Sequence, residues 1–200
     1  MHHGRTDAGV HAFGQVANFK TNSNLPTEKF AIAINSRLKK TIVIKNAEEV
    51  DENFHSRYNC KQKTYEYVID NSEYGSAIYR NLAYHISQKL NIEKMKRAAK
   101  YFEGEHDFKA FKASGTSSKS SVRTIYKAEV FEEGQNIKIR LTGNGFLYNM
   151  VRIISGTLVE VGLGKIQPDE ISKIIEQKDR TKAGKTLPAH GLYLVSVEYE

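Results

Sequence analysis

The sequence predicts a mixed α/β chain, and three stretches indicate this most clearly. Lys63–Ile69 alternates its side chains as a strand does. Val122–Phe131 and Asn136–Thr142 alternate in the same way around Glu132-Glu-Gly134, which predicts a β-hairpin. Apolar residues at helical spacing then predict a helix from position 147 onward, with one buried side formed by Leu147, Met150, Val151, Ile154, Leu158 and Val161.

Composition narrows the class of protein. The 200 residues are 40% hydrophobic and contain neither an apolar run that could cross a bilayer nor a signal-peptide pattern. We therefore expect a cytoplasmic protein of one or two domains. Cys60 is the only cysteine, so an intramolecular disulfide and a cysteine-built metal site are excluded. The net charge of +7 and the pI near 9.3 favour a polyanionic partner, without distinguishing RNA from DNA or an acidic membrane surface.

The densest group of reactive side chains lies in Gly4-Arg-Thr-Asp-Ala-Gly-Val-His-Ala12. It combines Arg5, Asp7 and His11 with two glycines, which permit backbone conformations that other residues avoid. This composition predicts a tight loop that holds Asp7 in a cleft. The alternative is an Asx-turn at Asp7 with Arg5 as a solvated charge, and the spacing alone does not decide between them.

The following segment predicts a strand, a helix and a second strand. Phe13–Phe19 is expected to be a strand, and Pro26 stands at the head of a helix. Thr41–Lys45, with the apolar residues Ile42-Val-Ile44 at its centre, is typical of a buried strand. The helix is indicated by apolar residues at four-residue steps, namely Phe30, Ile34 and Leu38.

The second part of the chain contains further helices and a closing strand. Asn91 is a helix cap, and the helix continues to Phe102 before Gly104 ends it. Pro168 opens another helix, and Leu187–Tyr199 is expected to form the closing strand. His106 is interpreted as a structural hydrogen-bonding residue, and no group of side chains has convincing metal-binding spacing.

Two stretches are rich in cations. Phe108–Ala128 contains no acidic residue, and the loop after residue 177 is also basic. A solvated basic face is one interpretation, but in a chain of positive net charge we favour contacts with a phosphate backbone. The candidate contact residues in the first stretch are Lys109, Lys112, Lys119 and Arg123.

Arg152 lies among apolar residues of the predicted third helix, flanked by Ile153 and Ile154. A buried guanidinium needs a carboxylate partner, because an unpaired buried charge costs several kcal/mol, about 3–5. The alternative is an arginine that extends outward to solvent. The pattern leaves both open.

These stretches together resemble one family. The loop Gly4–Ala12, followed by Gly14-Gln-Val16, is similar to the signature loop of the TruA family of tRNA pseudouridine synthases. The resemblance continues to the C-terminus, with Ser56 standing where the family has alanine. The further matching stretches are Phe54-His-Ser-Arg57, Lys63-Thr-Tyr-Glu-Tyr67, Gly104-Glu-His-Asp-Phe108, Asn144-Gly-Phe-Leu-Tyr-Asn-Met-Val-Arg152 and Leu187-Pro-Ala-His-Gly-Leu192.

The resemblance implies a reaction and roles for particular residues. Uridine is isomerised to pseudouridine in the anticodon stem-loop of tRNA, at positions 38–40, by a homodimer that needs no metal or organic cofactor. Asp7 would be the catalytic residue, either attacking the ribose covalently or removing a ribose proton. Arg5 would displace the target base, and Arg152 would pair with Asp7. Tyr65 would stack on the uracil and Leu192 would pack beside it, whereas Tyr67 is interpreted as a sheet residue.

The resemblance also implies an α+β architecture. Two similar halves, each an antiparallel sheet with helices on one face, would join sheet to sheet around a central cleft. Residues 1–60 would be the remainder of the first half and residues 61–200 the second half. Because family members carry a strand and a helix before the signature loop, we expect an N-terminally truncated synthase that is weakly active or inactive.

Two other functions compete with this interpretation. The basic loops alone would suit a non-catalytic RNA-binding module. A hydrolase that uses Asp7 as its nucleophile is the second, although no general base or oxyanion-hole pattern accompanies it.

Overall fold

The computed structural model describes residues 2–3, 6–115 and 120–199, with only the backbone of residues 2–3. The chain forms two compact units, which are described separately. The smaller contains Val16–Asn59 and the strand at residues 2–3, and the larger contains the described residues between 6 and 15 and from Cys60 onward. Over these described ranges, no helix has the length and apolar character needed to span a membrane.

The described ranges contain nine strands, four longer helices and three short 3-10 helices. In chain order the strands are β1 (His2–His3), β2 (His11–Ala12), β3 (Ala17–Asn18), β4 (Gln62–Asp70), β5 (Tyr84–His85), β6 (Gly104–Asp107), β7 (Val122–Glu133), β8 (Asn136–Gly143) and β9 (Leu192–Glu198). The helices are α1 (Thr27–Asn35), α2 (Ile92–Lys100), α3 (Met150–Gly162) and α4 (Glu170–Gln177). The 3-10 helices are Phe108–Phe111, Arg180–Lys182 and Ala189–Gly191.

The larger unit is built on a mostly antiparallel sheet in the order β2-β9-β4-β8-β7-β6, with β5 pairing beside β4. Strand β4 is antiparallel to both β8 and β9. The predicted strand at Lys63–Ile69 and the predicted hairpin of β7 and β8 are both confirmed. A sheet combined with packed helices confirms the mixed α/β class.

The two faces of this sheet differ in polarity. Tyr67, Ile69 and Ile139 point to one face and are fully buried in the hydrophobic core. Glu66, on the other face, accepts a bond from Arg140 Nη2 at 2.6 Å. The alternation of side chains along β4 therefore separates a core face from a face of ion pairs.

Helix α3 is buried almost all round, which differs from the one buried side predicted for it. It begins at Met150 rather than Leu147, because Asn149 adopts a left-handed conformation with φ 60° and stops the helix from extending backward. A Cβ at Gly156 would lie 1.9 Å from the carbonyl oxygen of Lys185. The loop before β9 therefore runs directly against the helix, and only glycine fits at that contact.

The ends predicted for α2 and α4 lie close to those observed in the structure. The Asn91 side chain accepts the backbone N–H of Lys94 at 3.0 Å, as the predicted cap of α2 requires. Gly104 has φ 103° just after this helix. Helix α4 follows Pro168 within two residues.

In the smaller unit, β1 pairs with β3, Phe19 contacts Phe30, and two asparagine side chains bond to the backbone. Asn18 donates to the carbonyl of Phe54 and accepts the N–H of Ser56, both at 3.0 Å. Asn35 makes the same pair of bonds with the backbone of Ile44, at 2.9 and 2.7 Å. Helix α1 has no buried residue.

Both strands predicted for this region need correction. Within the expected Phe13–Phe19 strand the structure has only the two residues of β3, and β2 lies before it at His11–Ala12. Thr41–Lys45 is not a strand, and Ile42 and Val43 are 56% and 68% exposed. The backbone of Ile44 bonds to the Asn35 side chain instead of a neighbouring strand, so a local contact replaces the ladder that the apolar run suggested.

Candidate active site

Asp7 occupies the first position of a tight turn. The N–H of Val10 donates to the Asp7 carbonyl oxygen at 3.1 Å, and Gly9 has φ 83°, which is typical of the third position of a type II turn. The turn is closed by the main chain, and the Asp7 side chain remains 36% exposed. A Cβ at Gly9 would lie 3.5 Å from Ala189 Cβ, so the turn packs against the short helix before β9.

The strand after the turn fixes it to the sheet. His11 and Ala12 pair in parallel with Tyr193 and Leu194 of β9. A Cβ at Gly14 would lie 2.6 Å from a β9 carbonyl oxygen, so glycine permits this close approach. The turn is therefore attached to the edge of the main sheet.

Arg152 lies beside Asp7. Its Nη1 atom is 3.5 Å from Asp7 Oδ2, and its side chain is 16% exposed. The Nε atom donates to the Leu187 carbonyl at 2.6 Å, and Nη1 donates to Asn149 Oδ1 at 2.7 Å. The contact expected between Asp7 and Arg152 is thus present, and the guanidinium does not extend freely into solvent.

Two of the groups that hold Arg152 were not predicted. Asn149 could have been found from its position three residues before Arg152 and from the tolerance of asparagine for the left-handed conformation. Nothing in the sequence marks the Leu187 carbonyl as a partner of Arg152, because every residue carries a backbone carbonyl. Tertiary packing alone decides that this carbonyl faces the helix.

Tyr65 is part of the same neighbourhood. It pairs across the sheet with Leu141 and Leu194, and its ring meets Phe146 edge to face, with centroids 5.3 Å apart. Burial raises the pKa of Tyr65 to about 12, and the negative charge of Asp7 adds to the rise. The tyrosine therefore keeps its proton at neutral pH and lies within electrostatic reach of Asp7.

Tyr67 acts within the core, as its interpretation as a sheet residue requires. It is fully buried, and its hydroxyl donates to the Pro188 carbonyl at 2.8 Å. Burial raises its pKa. A Cβ at Gly191 would lie 2.7 Å from the Tyr67 ring, so tyrosine and glycine together fix the segment that packs on the Asp7 turn.

Leu192 begins β9 and pairs with Tyr67. It is 6% exposed and belongs to the hydrophobic core. Its contact with a target base stays a prediction. Two other predicted site residues, Arg5 and Lys119, lie outside the described residues.

The remaining predicted RNA contacts differ in their surroundings. Lys109 is exposed and Lys112 is half-buried. Arg123 donates to the carbonyl oxygens of Ser120 and Val122 at 3.1 and 2.5 Å, and burial lowers its pKa. The guanidinium of Arg123 is therefore hydrogen-bonded to the backbone at the start of its own strand, β7.

The second basic loop also uses some of its cations internally. Arg180 donates to the carbonyls of Ala183 and Gly184 and to Thr186 Oγ1. Lys178 Nζ lies 2.9 Å from Asp107 Oδ2. Lys182 and Lys185 are exposed, so the loop presents a smaller cationic surface than its sequence suggested.

His106 is structural, as expected. Its Nε2 atom lies 2.9 Å from the Glu103 carbonyl oxygen, and its ring contacts Phe108 edge to face. In the part of the chain that the structure describes, no three His, Cys, Asp or Glu side chains are grouped in a way that could hold a metal ion.

The chain is also similar in sequence to proteins of one family. The sequence model of the family described as tRNA pseudouridine synthase matches residues 2–59 and 98–200. A tRNA pseudouridine synthase A from Acetivibrio thermocellus is 56% identical over 195 residues, covering 98% of this chain and 80% of the relative.

Two more proteins known as tRNA pseudouridine synthase A agree. The Ruminiclostridium cellulolyticum protein is 57% identical over 196 residues and the Bacillus subtilis protein 46% over 197, each covering 98% of this chain and 80% of its own length. A family match over most of the chain and identities well above 30% leave one conclusion. The chain belongs to the tRNA pseudouridine synthase family.

Proposed function

We propose that this chain isomerises uridine to pseudouridine in the anticodon stem-loop of tRNA, at positions 38–40, with Asp7 as the catalytic residue. The observation that carries the proposal is the Asp7 carboxylate on its tight turn, 3.5 Å from the anchored Arg152 guanidinium. Family membership supplies the reaction class. The rest of the proposal assigns the steps to residues.

The reaction breaks the bond between N1 of uracil and C1′ of ribose and forms a bond between C5 and C1′, after which C5 loses its proton and N1 gains one. Asp7 can begin it in two ways. Its oxygen attacks C1′ as the base leaves, forming a bond that breaks when C5 bonds to C1′, or it removes a ribose proton that it returns once the base has rejoined. Both need a carboxylate with a free lone pair. The guanidinium of Arg152 faces that carboxylate at 3.5 Å and attracts it by charge.

Tyr65 and Leu192 are proposed to hold the detached base. Stacking on an aromatic ring suits a uracil that has left its helix and must rotate before it rejoins. The ring of Tyr65 is fixed by Phe146 and by its strand, which favours one orientation of the base. Arg5 is proposed to occupy the space that the flipped nucleotide vacates.

The wider assembly is part of the same proposal. Two α/β halves, of which residues 1–60 and 61–200 are the parts in this chain, would enclose the target nucleotide between their sheets. A homodimer in the cytoplasm would grip the tRNA through basic residues such as Lys109, Lys112, Lys119 and Arg123. Lys109 supports this most directly, because it is exposed on the turn after β6.

The test replaces Asp7 by asparagine, which keeps the shape and removes the charge. Anticodon stem-loop RNA is incubated with the protein and pseudouridine is mapped at each uridine. Asp7→Asn should lower product formation by at least about 100-fold, while the RNA dissociation constant stays within about twofold. Asp169→Asn, on an exposed residue before α4, is the matched control and should modify RNA as the parent does.

The rival functions give different results. A non-catalytic RNA-binding module would bind the stem-loop and form no pseudouridine with either parent or variant. A hydrolase would release free uracil or cleave the strand. Either result would replace the proposal.

A further inference from the structure

A cleft lies at the far end of β4 from Tyr65. It has a volume of about 480 Å³, within the range of roughly 300–1,000 Å³ that small-ligand sites occupy. We call it the Tyr84 cleft. The side chains that matter for its chemistry are Asp70, Tyr74, Arg80, Tyr84, His85 and His190.

The Tyr84 cleft adjoins the candidate active site through the 3-10 helix Ala189–Gly191. Ala189 packs against the Asp7 turn at Gly9, and Gly191 packs on the Tyr67 ring. His190, between them, lines the cleft. A strand of RNA that places one nucleotide at Asp7 therefore has this cleft beside it.

The cleft presents aromatic faces. Tyr84 is half-buried on β5, where it pairs with Ile69, and its ring meets the His190 ring at a centroid distance of 6.3 Å. Lys185 Nζ lies 5.6 Å from the Tyr84 ring centre and 3.3 Å from its hydroxyl oxygen. Tyr74, also in the lining, is 87% exposed. A fixed ring beside an exposed one suits the stacking of a base.

Arg80 brings a positive charge to the cleft. Arg80 is exposed, and its Nη1 donates to the Ala77 carbonyl at 2.7 Å, which keeps the guanidinium at the cleft. His85 Nε2 lies 2.8 Å from the Ser72 carbonyl oxygen. Phosphate oxygens are the usual ligands of arginine at such sites, because the guanidinium donates in a planar fork.

Asp70 is the carboxylate of the cleft, and Ser72 occupies one of its oxygens. Its Oδ1 atom accepts the N–H of Ser72 at 3.0 Å and the Ser72 hydroxyl at 2.6 Å. Burial alone would raise the pKa of Asp70, but these bonds and the nearby His85 lower it overall. One oxygen of the Asp70 carboxylate is thus already hydrogen-bonded to Ser72.

We propose that the Tyr84 cleft binds the nucleotide next to the target uridine, with its base on the Tyr84 and Tyr74 rings and its phosphate at Arg80. This rests on the proposed function, because it assumes that the target nucleotide lies at Asp7. The cleft would add affinity for the RNA whichever base flanks the target, because stacking accepts any base. It would take no part in the bond changes at the uridine.

The charge is tested with Arg80→Gln against Arg97→Gln, an exposed arginine of α2 outside the cleft. The dissociation constant of fluorescent anticodon stem-loop RNA is measured by anisotropy at several salt concentrations. Arg80→Gln should weaken binding about tenfold and flatten the slope of log K against log salt by about 0.7–1. Equal effects of the two variants would overturn the phosphate contact.

The stacking is tested with Tyr84→Leu, which keeps apolar bulk in a residue packed against the core. Binding should weaken about tenfold, Tyr84→Phe should lose less, and Tyr101→Leu on the exposed end of α2 is the matched control. Two RNAs carry an abasic residue on the 5′ or the 3′ side of the target. With one of them Tyr84→Leu should cause no further loss. Additive losses with both would overturn the flanking position.

The outcomes separate this proposal from the proposed function. If the parent forms pseudouridine and the cleft variants bind like their controls, the cleft proposal fails and the function stands. If the parent forms none while Arg80→Gln and Tyr84→Leu still weaken binding, the function fails and the cleft remains an RNA-binding site. Arg80 is exposed, so the binding measurement on Arg80→Gln remains decisive even if Tyr84→Leu disturbs folding.

Discussion

The two compact units of this chain differ in how far their apolar residues are buried. In the larger unit, strand residues such as Ile139 and helix residues such as Ile154 are fully buried in one core. In the smaller unit, Ile32 is 68% exposed on α1, and Ser56 is the buried residue among those described. The larger unit therefore has a core of its own, whereas in the smaller unit the side chains of Asn18 and Asn35 are hydrogen-bonded to the backbone.

The difference shows where the site geometry comes from. Asp7, Tyr65 and Arg152 all belong to the larger unit, although Asp7 stands near the beginning of the chain. The turn that carries Asp7 joins this unit through the pairing of β2 with β9. Positions that differ by more than a hundred residues in sequence are thus held by one sheet and the helix packed on it.

The largest effect should come from matched isoleucine substitutions in the two units. Ile139→Ala removes a fully buried side chain and should lower the free energy of unfolding by about 2–5 kcal/mol. Ile32→Ala should change it by less than about 0.5 kcal/mol, because the side chain is 68% exposed and alanine favours a helix. Urea denaturation followed by circular dichroism measures both. Similar losses would show that the exposed residues of α1 also contribute to a core.

A smaller effect is expected at Asn149, the residue that positions Arg152. Asn149→Ala should cost about 1–2 kcal/mol in stability, because alanine resists the left-handed conformation. Asn149→Gly accepts that conformation but still lacks the 2.7 Å bond to Arg152. In urea denaturation the glycine variant should therefore be the more stable of the two.

Measuring kcat of the Asn149 variants separates the effect of Asn149 on the position of Arg152 from its effect on stability. Both Asn149 variants should lower kcat for pseudouridine formation about fivefold, with little change in KM, because the guanidinium loses one of its two protein acceptors beside Asp7. A glycine variant with the kcat of the parent would show that Leu187 alone is sufficient to hold Arg152.

The sequence was most informative where local patterns decide the structure. The alternation of β4, the hairpin of β7 and β8 and the Asn91 cap depend on residues close together, and all three are confirmed. Thr41–Lys45 misled the prediction because an apolar run becomes a strand only when another strand pairs with it. The Leu187 carbonyl at Arg152 was missed for a related reason, since tertiary packing selects that acceptor.

The smallest effect concerns pH and a surface contact of the larger unit. Lys178 bonds to Asp107, and this bond, followed by that from the Ser121 hydroxyl, lowers the pKa of the Asp107 carboxyl. A carboxyl with a lowered pKa stabilises the folded state above its unfolded pKa of about 3.9, and the contribution is lost as the pH falls through the folded value. The larger unit should therefore lose the energy of this contact only in acid.

A double-mutant cycle of Asp107→Asn and Lys178→Gln measures that energy by urea denaturation. The coupling should be about 0.2–1 kcal/mol near pH 7, because Lys178 is half-exposed and solvent screens the pair. It should approach zero at a pH below the folded pKa of Asp107, where the parent carboxyl is itself neutral. Equal coupling at both pH values would mean that packing rather than charge joins these two side chains. No coupling at neutral pH would mean that the Ser121 bond alone lowers the pKa of Asp107.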